Sequence, residues 1–244
     1  HSSNFREFRR ELDMKRGILN RSYIWVLNDG REIKLEFERF LSMKDAHYGG
    51  QHITMTALNF SGDIVVTAGL DFSNIHQMVG ENLWDVKQKN VGVKYCSILA
   101  DTLNTNQSVY SYSYFDGSVF DKKAKNVKDL VQEKKILKQY TFELKEQKSE
   151  TFIRVVRNLS KKISAKKEKY KFDNHCENPE KFFGNVTYES LKADSAKWWD
   201  DMWRDSDIII EGDELNQQGG STFTYKTSLL PISYSIQAPR VGIT

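Results

Sequence analysis

Paired carboxylates are the first residues of this chain whose spacing could support chemistry. Glu36 and Glu38 lie two positions apart in an alternating segment, so on a strand both side chains point to one face. Two carboxylates on one face can act as a general acid and a general base. The same spacing is typical of the solvent face of a strand, and we favour that interpretation. The Glu-Gly-Asp segment at 211–213 has two interpretations as well: carboxylates near a cleft, or a turn that caps a helix starting near Leu215.

Metal-binding residue types are few and scattered. No two of the five histidines lie at ligand spacing on a common element (His1, His47, His52, His76 and His175). His175 and Cys176 lie beside Asp173 and Glu177, but a second Cys/His pair that would complete a metal site is missing from the pattern. The sequence contains no GxGxxG, P-loop or GxSxG motif. We therefore assign no catalytic, cofactor-binding or metal-binding residue.

Strand aromatics provide an alternative function, carbohydrate binding. Tyr110, Tyr112 and Tyr114 alternate along one segment and share a face, and Trp25 lies in another apolar segment. Exposed rings at these positions would stack on sugars. Strand aromatics are more often core residues or cross-strand partners, and we favour that interpretation.

Charge and composition exclude several classes of function. The 244 residues include 36 basic and 33 acidic side chains, a net charge of +3, which is too near neutral to indicate nucleic-acid or membrane binding. Six lysines in residues 160–171 are typical of a solvated surface. No apolar run approaches the roughly 18 residues of a membrane helix. Cys96 and Cys176 have no disulfide spacing and indicate buried free thiols in a reducing, cytoplasmic compartment.

The N-terminus points to a fragment of a longer protein. It has neither an initiator Met nor the apolar core of a signal peptide. We expect residues 1–3 to be a tag remnant.

Period-two patterns predict the fold class. Residues 22–27 are β-branched and aromatic, Asp29-Gly30 suits a hairpin turn, and Ile33, Leu35 and Phe37 then alternate with charged residues. Further strands are predicted at 52–58, 64–70, 91–99, 109–115, 138–144 and 151–156. At least eight hairpin-linked strands predict a mainly β protein built as a large antiparallel β-sandwich. The lysine-rich segment 121–138 is interpreted as a solvated loop or a short helix.

The pattern changes to a helical period near residue 186. Thr187 is a candidate N-cap, and a wide apolar face follows to about Arg204. That face consists of Leu191, Ala196, Trp198, Trp199, Met202 and Trp203. So large a face must dock, and we expect Leu191, Trp198, Met202 and Trp203 to pack on the sandwich or on a second copy of the chain. Residues 207–210 are strand-like.

Several strings in this sequence resemble glycoside hydrolase family 65, which contains the inverting phosphorylases of maltose, kojibiose, trehalose and nigerose. The strings occur in the family's order over roughly residues 8–219: ELDMKRGILNRS at 11–22, ERFLS at 38–42, LNFSG at 58–62 with GLD at 69–71, and WRDSDIIIEGD at 203–213 followed by Gln217-Gln218.

The resemblance implies an architecture. Family members have an N-terminal β-sandwich of the galactose mutarotase-like super-sandwich type, a helical linker, an (α/α)6 catalytic barrel and a small C-terminal sheet domain. Residues 1–185 would be the sandwich, with its first strands absent, and 186–219 the linker and junction. Residues 219–228 do not resemble the family's next helix, and 220–244 stay unassigned. The family's catalytic acid and phosphate-binding residues lie in the barrel and match no residue here.

Three functions remain as hypotheses. The first is the non-catalytic N-terminal domain of an inverting disaccharide phosphorylase, partnered by the barrel and forming a homodimer, with phosphate and disaccharide bound only through that barrel. The second is a stand-alone carbohydrate-binding β-sandwich. The third is a non-functional truncated product whose open sheet edges are prone to pairing.

Overall fold

The structure is a computed structural model that describes residues 4–120, 124–162 and 186–233, with side chains as far as Tyr225. Its described part contains eleven strands and two α-helices. The strands are β1 (Asn4–Asp13), β2 (Ile18–Val26), β3 (Glu32–Leu41), β4 (Tyr48–Ala57), β5 (Gly62–Asp71), β6 (Trp84–Val91), β7 (Tyr95–Thr102), β8 (Gln107–Asp116), β9 (Ala124–Val131), β10 (Lys135–Leu144) and β11 (Ser149–Lys162); the helices are α1 (Tyr188–Ser206) and α2 (Glu214–Ser233).

The strands form two antiparallel sheets, so the chain is a mainly β protein with a sandwich architecture, as predicted. The large sheet has eight strands in the order β1-β2-β3-β4-β11-β8-β7-β6, and the small sheet has three in the order β5-β10-β9. No helix in the described ranges is both long and apolar enough to cross a membrane.

The first hairpin confirms the prediction for residues 22–42. β2 and β3 pair from Val26↔Glu32 onward, and the backbone turns at Asp29-Gly30, with φ +83° at the glycine. Ile33, Leu35 and Phe37 are all buried. They face the main core, which fills the space between the two sheets, because alternate side chains of a strand point to opposite faces.

One buried cation joins the two sheets inside this core. Arg154 on β11 is buried and donates from Nε to Ser113 Oγ at 2.7 Å, on the neighbouring strand β8. Its Nη2 donates to the carbonyl oxygen of Gly69 on β5 at 2.9 Å. Burial lowers the pKa of this guanidinium to about 10, which still leaves it charged at neutral pH.

Two of the predicted hairpin links are wrong. Residues 52–58 and 64–70 are strands, but β4 belongs to the large sheet and β5 to the small one; β10 and β11 are divided in the same way. Both connections cross between the sheets at one place, where Gln147 donates its backbone N–H to Ala57 O at 2.8 Å and Glu146 N–H donates to Ser61 Oγ at 2.9 Å. Alternation indicates which side chains point inward, but not which sheet receives the strand.

Two further predictions along the sheets need correction. Within 121–138, the described residues 124–131 form the strand β9, not a loop or helix, because β10 provides a hydrogen-bonded ladder along one side while Lys125 and Lys128 stay in solvent. Lys138, on β10, is buried. Residues 91–99 are not one strand. The chain turns at 92–94, where Gly92 donates to Tyr95 O at 3.0 Å, so Val91 ends β6 and Tyr95 begins β7.

The chain after α1 also differs from expectation. Asp207 is extended, but residues 207–210 form no strand, and Ile208 and Ile209 are exposed. Residues 219–228 lie inside α2 and are helical, although they do not resemble the family's next helix in sequence. The Glu-Gly-Asp turn does precede this helix as expected. Asp213 accepts the N–H of Asn216 at 3.0 Å, and this hydrogen bond lowers the pKa of its carboxyl.

Candidate functional site

The outer face of the large sheet, opposite the small sheet, carries an open polar groove of about 620 Å³. It lies between the start of α1 and strands β1 to β4. The residues that line it are mostly charged or polar: Arg9, Glu11, Asn20, Arg21, Ser22, Glu36, Phe37, Glu38, His52, Thr54, Tyr188, Glu189 and Lys192. The predicted carboxylate pair, Glu36 and Glu38, therefore lines this groove.

Glu38 is the centre of the groove's hydrogen bonding. Its Oε1 accepts the hydroxyl of Tyr188 at 2.7 Å and the ammonium of Lys192 at 2.6 Å, both from the first two turns of α1. Burial alone would raise the pKa of Glu38, but the hydrogen bonds from Lys192 and Tyr188 and the positive field of Lys192 and His52 outweigh it and lower the pKa. Glu38 is therefore a carboxylate that fastens the helix.

Glu36 has a separate partner. It accepts the ammonium of Lys34 at 2.8 Å on the same strand, and its side chain is about half exposed. The two glutamates share a face, as the spacing predicts, but each is neutralised by a different lysine. This arrangement lacks the protonated acid opposite a free base that acid–base catalysis needs, and it matches the solvent-face interpretation.

The start of α1 is fixed by its own sequence and by a glycine beneath it. Thr187 caps the helix, accepting the N–H of Ser190 at 3.1 Å, while Ser190 Oγ accepts the N–H of Thr187 at 3.0 Å. The ring of Tyr188 then lies over Gly50, where a Cβ would come within 2.9 Å of it. Its burial and the Glu38 carboxylate raise the pKa of the Tyr188 hydroxyl, which stays protonated and able to donate.

The second half of α1 docks through tryptophans. Trp199 and Trp203 are buried, and Trp203 Nε1 donates to the carbonyl oxygen of Met14 at 3.1 Å, in the turn between β1 and β2. Tyr225 of α2 stacks on Trp199 with ring centroids 4.8 Å apart. Trp198 and Met202 are partly buried at the edge of this cluster. The helix thus packs on the sandwich within one chain, as predicted.

The four strings that carry the family resemblance contact one another or fix the strands beside them. Met14 lies in the first string, Leu41 ends β3 in the second, and Trp203 opens the last. Ser195 of α1 donates to Leu41 O at 3.3 Å, and Trp203 reaches Met14. In the third string, Asn59 accepts the Glu32 N–H at 2.8 Å and fixes the start of β3.

The other predicted site residues do not form a site. Tyr110 and Tyr112 are buried in the core on the outer face of the sheet, with Tyr114 packed beside them, and Trp25 packs against the main core. These rings are core residues and do not form an exposed sugar platform. In the portion that the structure describes, no three His, Cys, Asp or Glu side chains lie close enough to hold a metal ion. His175, Cys176 and most of the 160–171 lysine run lie outside that portion.

The helix-side partners of this site were missed at the sequence level. Lys192 and Ser195 appear only as polar positions between apolar ones, and Gly50 as part of a Gly-Gly pair. The spacing of two polar residues on a helix does not indicate which strand they contact, and here both Lys192 and Ser195 bond to β3. Only the Thr187 cap has a pattern that identifies it alone.

Comparison with known proteins identifies the domain type. A family model described as glycosyl hydrolase family 65, N-terminal domain, matches residues 1–202. The chain is 25% identical over 226 residues to a nigerose phosphorylase of Lachnoclostridium phytofermentans, with 83% of this chain and 28% of that protein covered. It is 26% identical over 226 residues to an α,α-trehalose phosphorylase of Thermoanaerobacter brockii, covering 87% of this chain and 28% of the relative.

A solved structure described as a kojibiose phosphorylase from the human microbiome has the same fold. It superposes with a TM-score of 0.80 at 22% identity, over 93% of this chain and 29% of that one. The chain therefore spans less than a third of the length of these relatives.

Proposed function

Because this chain belongs to the glycosyl hydrolase family 65 N-terminal domain family, we propose that it is the non-catalytic N-terminal domain of an inverting disaccharide phosphorylase. The observation that carries the proposal is the docking of α1. Glu38 holds the start of this helix through Tyr188 and Lys192, and Met14 holds Trp203 near its end. A helix fastened at both ends is suited to setting the direction in which a further domain leaves the sandwich.

The non-catalytic part of the proposal rests on the groove. Its two candidate carboxylates are each occupied by a lysine, so neither is available to protonate a leaving group. In inverting phosphorolysis one carboxylic acid protonates the glycosidic oxygen while phosphate attacks the anomeric carbon from the opposite face. The α-glucoside is thereby converted to β-glucose 1-phosphate and a free sugar. We assign the carboxylic acid and the residues that bind the attacking phosphate to an (α/α)6 barrel.

The domain division, partners and location are part of the same proposal. Residues 1–185 form the sandwich domain and 186–219 the linker and junction, while 220–244 are an unassigned tail. The parent enzyme is a cytoplasmic homodimer. Phosphate and disaccharide bind through the barrel and not through the groove.

Two measurements test this proposal. The chain, incubated with phosphate and maltose, kojibiose, trehalose or nigerose in turn, is expected to release no glucose 1-phosphate; turnover above a blank would show that it carries catalytic residues. Sequencing the gene on both sides of these residues is expected to reveal a barrel-encoding segment downstream. If it does, the full-length enzyme should produce the β anomer of glucose 1-phosphate, which proton NMR identifies. Production of the α anomer would contradict inversion.

A further inference from the structure

The loop between β5 and β6 carries an apolar tip. We refer to residues 72–83 as the apolar loop. Ile75 is 65% exposed, Met78 93% and Val79 53%. Glu81 is the only charged residue of the loop, although 28% of the whole chain is charged. The three apolar side chains together expose on the order of 300–400 Å² of surface, an amount that marks an interaction site on a soluble protein.

Backbone hydrogen bonds fix the shape of this tip. The carbonyl oxygen of His76 accepts the N–H groups of Val79 at 3.2 Å and of Gly80 at 2.8 Å, which closes a turn. The N–H of His76 donates to the carbonyl oxygen of Glu81 at 2.8 Å and joins the two arms of the loop. A tip that is already ordered loses little conformational entropy when it binds, so its apolar surface remains available to stabilise a contact.

The base of the apolar loop is fastened to the small sheet. Asn82 donates from Nδ2 to the carbonyl oxygens of Phe72 at 2.6 Å and Asn74 at 2.9 Å, across the base. Lys134, in the turn between β9 and β10, donates from Nζ to Asn82 Oδ1 and to Trp84 O, both at 2.8 Å. Its carbonyl oxygen accepts the N–H of Phe72 at 2.9 Å. The exposed tip therefore projects from a rigid support.

The apolar loop lies at the end of the sandwich where the helix α1 also ends. β5 begins at the crossing between the sheets beside Ala57, where β4 ends, and runs back along the sandwich. Near its end Gly69 accepts the guanidinium of Arg154, which lies opposite Gln51 near the start of β4. Met43, in the turn before β4, packs in the cluster that also buries the tryptophans of α1. The loop after β5 and the second half of α1 therefore share one end of the sandwich.

The chain after α1 is apolar and exposed at the same end. Ile208 and Ile209 follow directly after this helix, and Leu215 lies in the first turn of α2; all three are exposed. The stacking of Tyr225 on Trp199 keeps α2 beside the tryptophans of α1. One end of the sandwich therefore presents apolar surface from two different parts of the chain.

The size of the tip favours a covalently tethered occupant over a second copy of the chain. Stable interfaces between free proteins bury about 800 Å² on each partner, and the tip of the apolar loop offers about half of this. A domain tethered through α1 needs less surface, because the tether gives it a high effective concentration. This chain covers 28% of the nigerose phosphorylase to which it is similar, so a parent of that length has a large further domain to supply the occupant.

We propose that the apolar loop is a second contact between the sandwich and the domain that follows the linker, with Ile75, Met78 and Val79 inserted in an apolar groove of that domain. The docked helix α1 sets where the next domain begins, but residues 207–210 form neither helix nor strand and leave its orientation open. A second contact at the same end of the sandwich removes this freedom. Methionine suits such a contact, because its unbranched side chain adapts to an irregular groove. The inference rests on the proposed function, since the occupant is the proposed barrel.

Oxidation of Met78 by hydrogen peroxide, followed by peptide mass spectrometry, measures whether the tip is covered. In the 244-residue chain, Met78 should oxidise as fast as a free methionine and independently of protein concentration. In the full-length enzyme it should oxidise at least about tenfold more slowly. Val93→Met is the matched control, because Val93 is 80% exposed at the other end of β6. A methionine there should oxidise at rates within about twofold in the two proteins.

Met78→Asp tests the same contact through charge. A carboxylate at the tip cannot enter an apolar groove without losing its hydration. Protease should therefore cleave the full-length variant within residues 207–210 at least about fivefold faster than the parent. In the 244-residue chain the substitution should leave the urea midpoint unchanged, because Met78 is exposed there. Val93→Asp is the control and should change neither measurement.

The outcomes distinguish this inference from the proposed function. If the gene encodes no barrel downstream, the proposed function fails and the inference fails with it. If a barrel is encoded and Met78 oxidises equally fast in both proteins, the inference is wrong while the proposed function stands. If protection of Met78 depends on protein concentration, and Met78→Asp converts a dimer to a monomer in sedimentation, the loop binds a second copy, which also contradicts the tethered occupant.

Discussion

The indole of Trp199 occupies the space in which a side chain of residue 17 would lie. A Cβ on Gly17 would be 2.1 Å from Nε1 of Trp199, and Gly17 has a φ of +66°, which favours glycine. The turn between β1 and β2 and the helix α1, distant in sequence, are therefore shaped to each other. This contact places Trp199 in the buried cluster of Met43, Trp199, Trp203 and Tyr225, which packs the second half of α1 against the sandwich.

Gly17→Ala should lower the free energy of unfolding by about 2–4 kcal/mol, because a positive φ and an overpacked contact add together. Gly30→Ala is the matched control. Gly30 has φ +83° but nothing within 4 Å of its Cβ position, so it carries the backbone strain alone, about 1 kcal/mol. Urea titration of both variants measures the difference. If the two variants lose the same free energy of unfolding, the helix moves away from the turn without an energetic penalty.

Trp203→Ala should cost about 3–5 kcal/mol, as expected for a buried tryptophan. Trp203→Phe keeps a smaller aromatic ring that cannot donate to Met14 O, and the lost hydrogen bond should account for about 1 kcal/mol of its effect. Denaturant titration compares them with Leu215→Ala, an exposed position that should change stability by no more than about 0.5 kcal/mol. A Trp203→Ala variant as stable as the parent would contradict the docking.

The first hairpin and the helix N-terminus could be predicted because each has a local pattern. Ile33, Leu35 and Phe37 alternate, Asp29-Gly30 permits the turn, and Thr187 caps the helix. β1 was missed because the strand at the sheet edge is exposed along nearly its whole length and has no apolar face to reveal it. β9 was missed for the same reason. It is held by backbone hydrogen bonds to β10, and its mostly exposed side chains show no alternation that would predict a strand.

The candidate site was only half predictable. Glu36 and Glu38 could be placed on one face from their spacing, but the role of Glu38 depends on Lys192, 154 residues away. No periodicity links two such positions; only the packed helix brings them together. The crossing of β4 to β5 between sheets escaped prediction likewise, because it depends on which sheet offers a free edge.

Cys96 should be unreactive toward iodoacetamide in the folded chain. The thiol is fully buried, and burial raises its pKa to about 12 despite the nearby positive charges of Arg154 and Lys138. In a Cys176→Ser background, mass spectrometry should find labelling of Cys96 only at the rate of global unfolding, rising with added urea. Fast labelling without denaturant would mean that the two sheets separate locally.

Glu38 makes the docking of α1 depend on pH in a defined direction. Burial acts to raise its pKa, but the hydrogen bonds from Lys192 and Tyr188 outweigh burial and hold the pKa in the folded chain below its ordinary value of 4.5. A carboxyl with a depressed pKa in the folded state contributes stability above its unfolded pKa, and this contribution is lost as the pH falls through the folded pKa. The folded chain should therefore lose this contribution below about pH 4.5.

Glu38→Gln should accordingly lower the free energy of unfolding by about 1–2 kcal/mol at pH 7, since it removes a charge-assisted pair that is only partly exposed. The difference from the parent should shrink toward zero as the pH is lowered from about 5 toward about 3. Urea titrations across this range measure it, with Glu36→Gln as the control, a half-exposed ion pair worth about 0.5 kcal/mol or less. A Glu38→Gln deficit that stays constant with pH would mean that the hydrogen-bonding shape of the side chain, and not its charge, holds the helix.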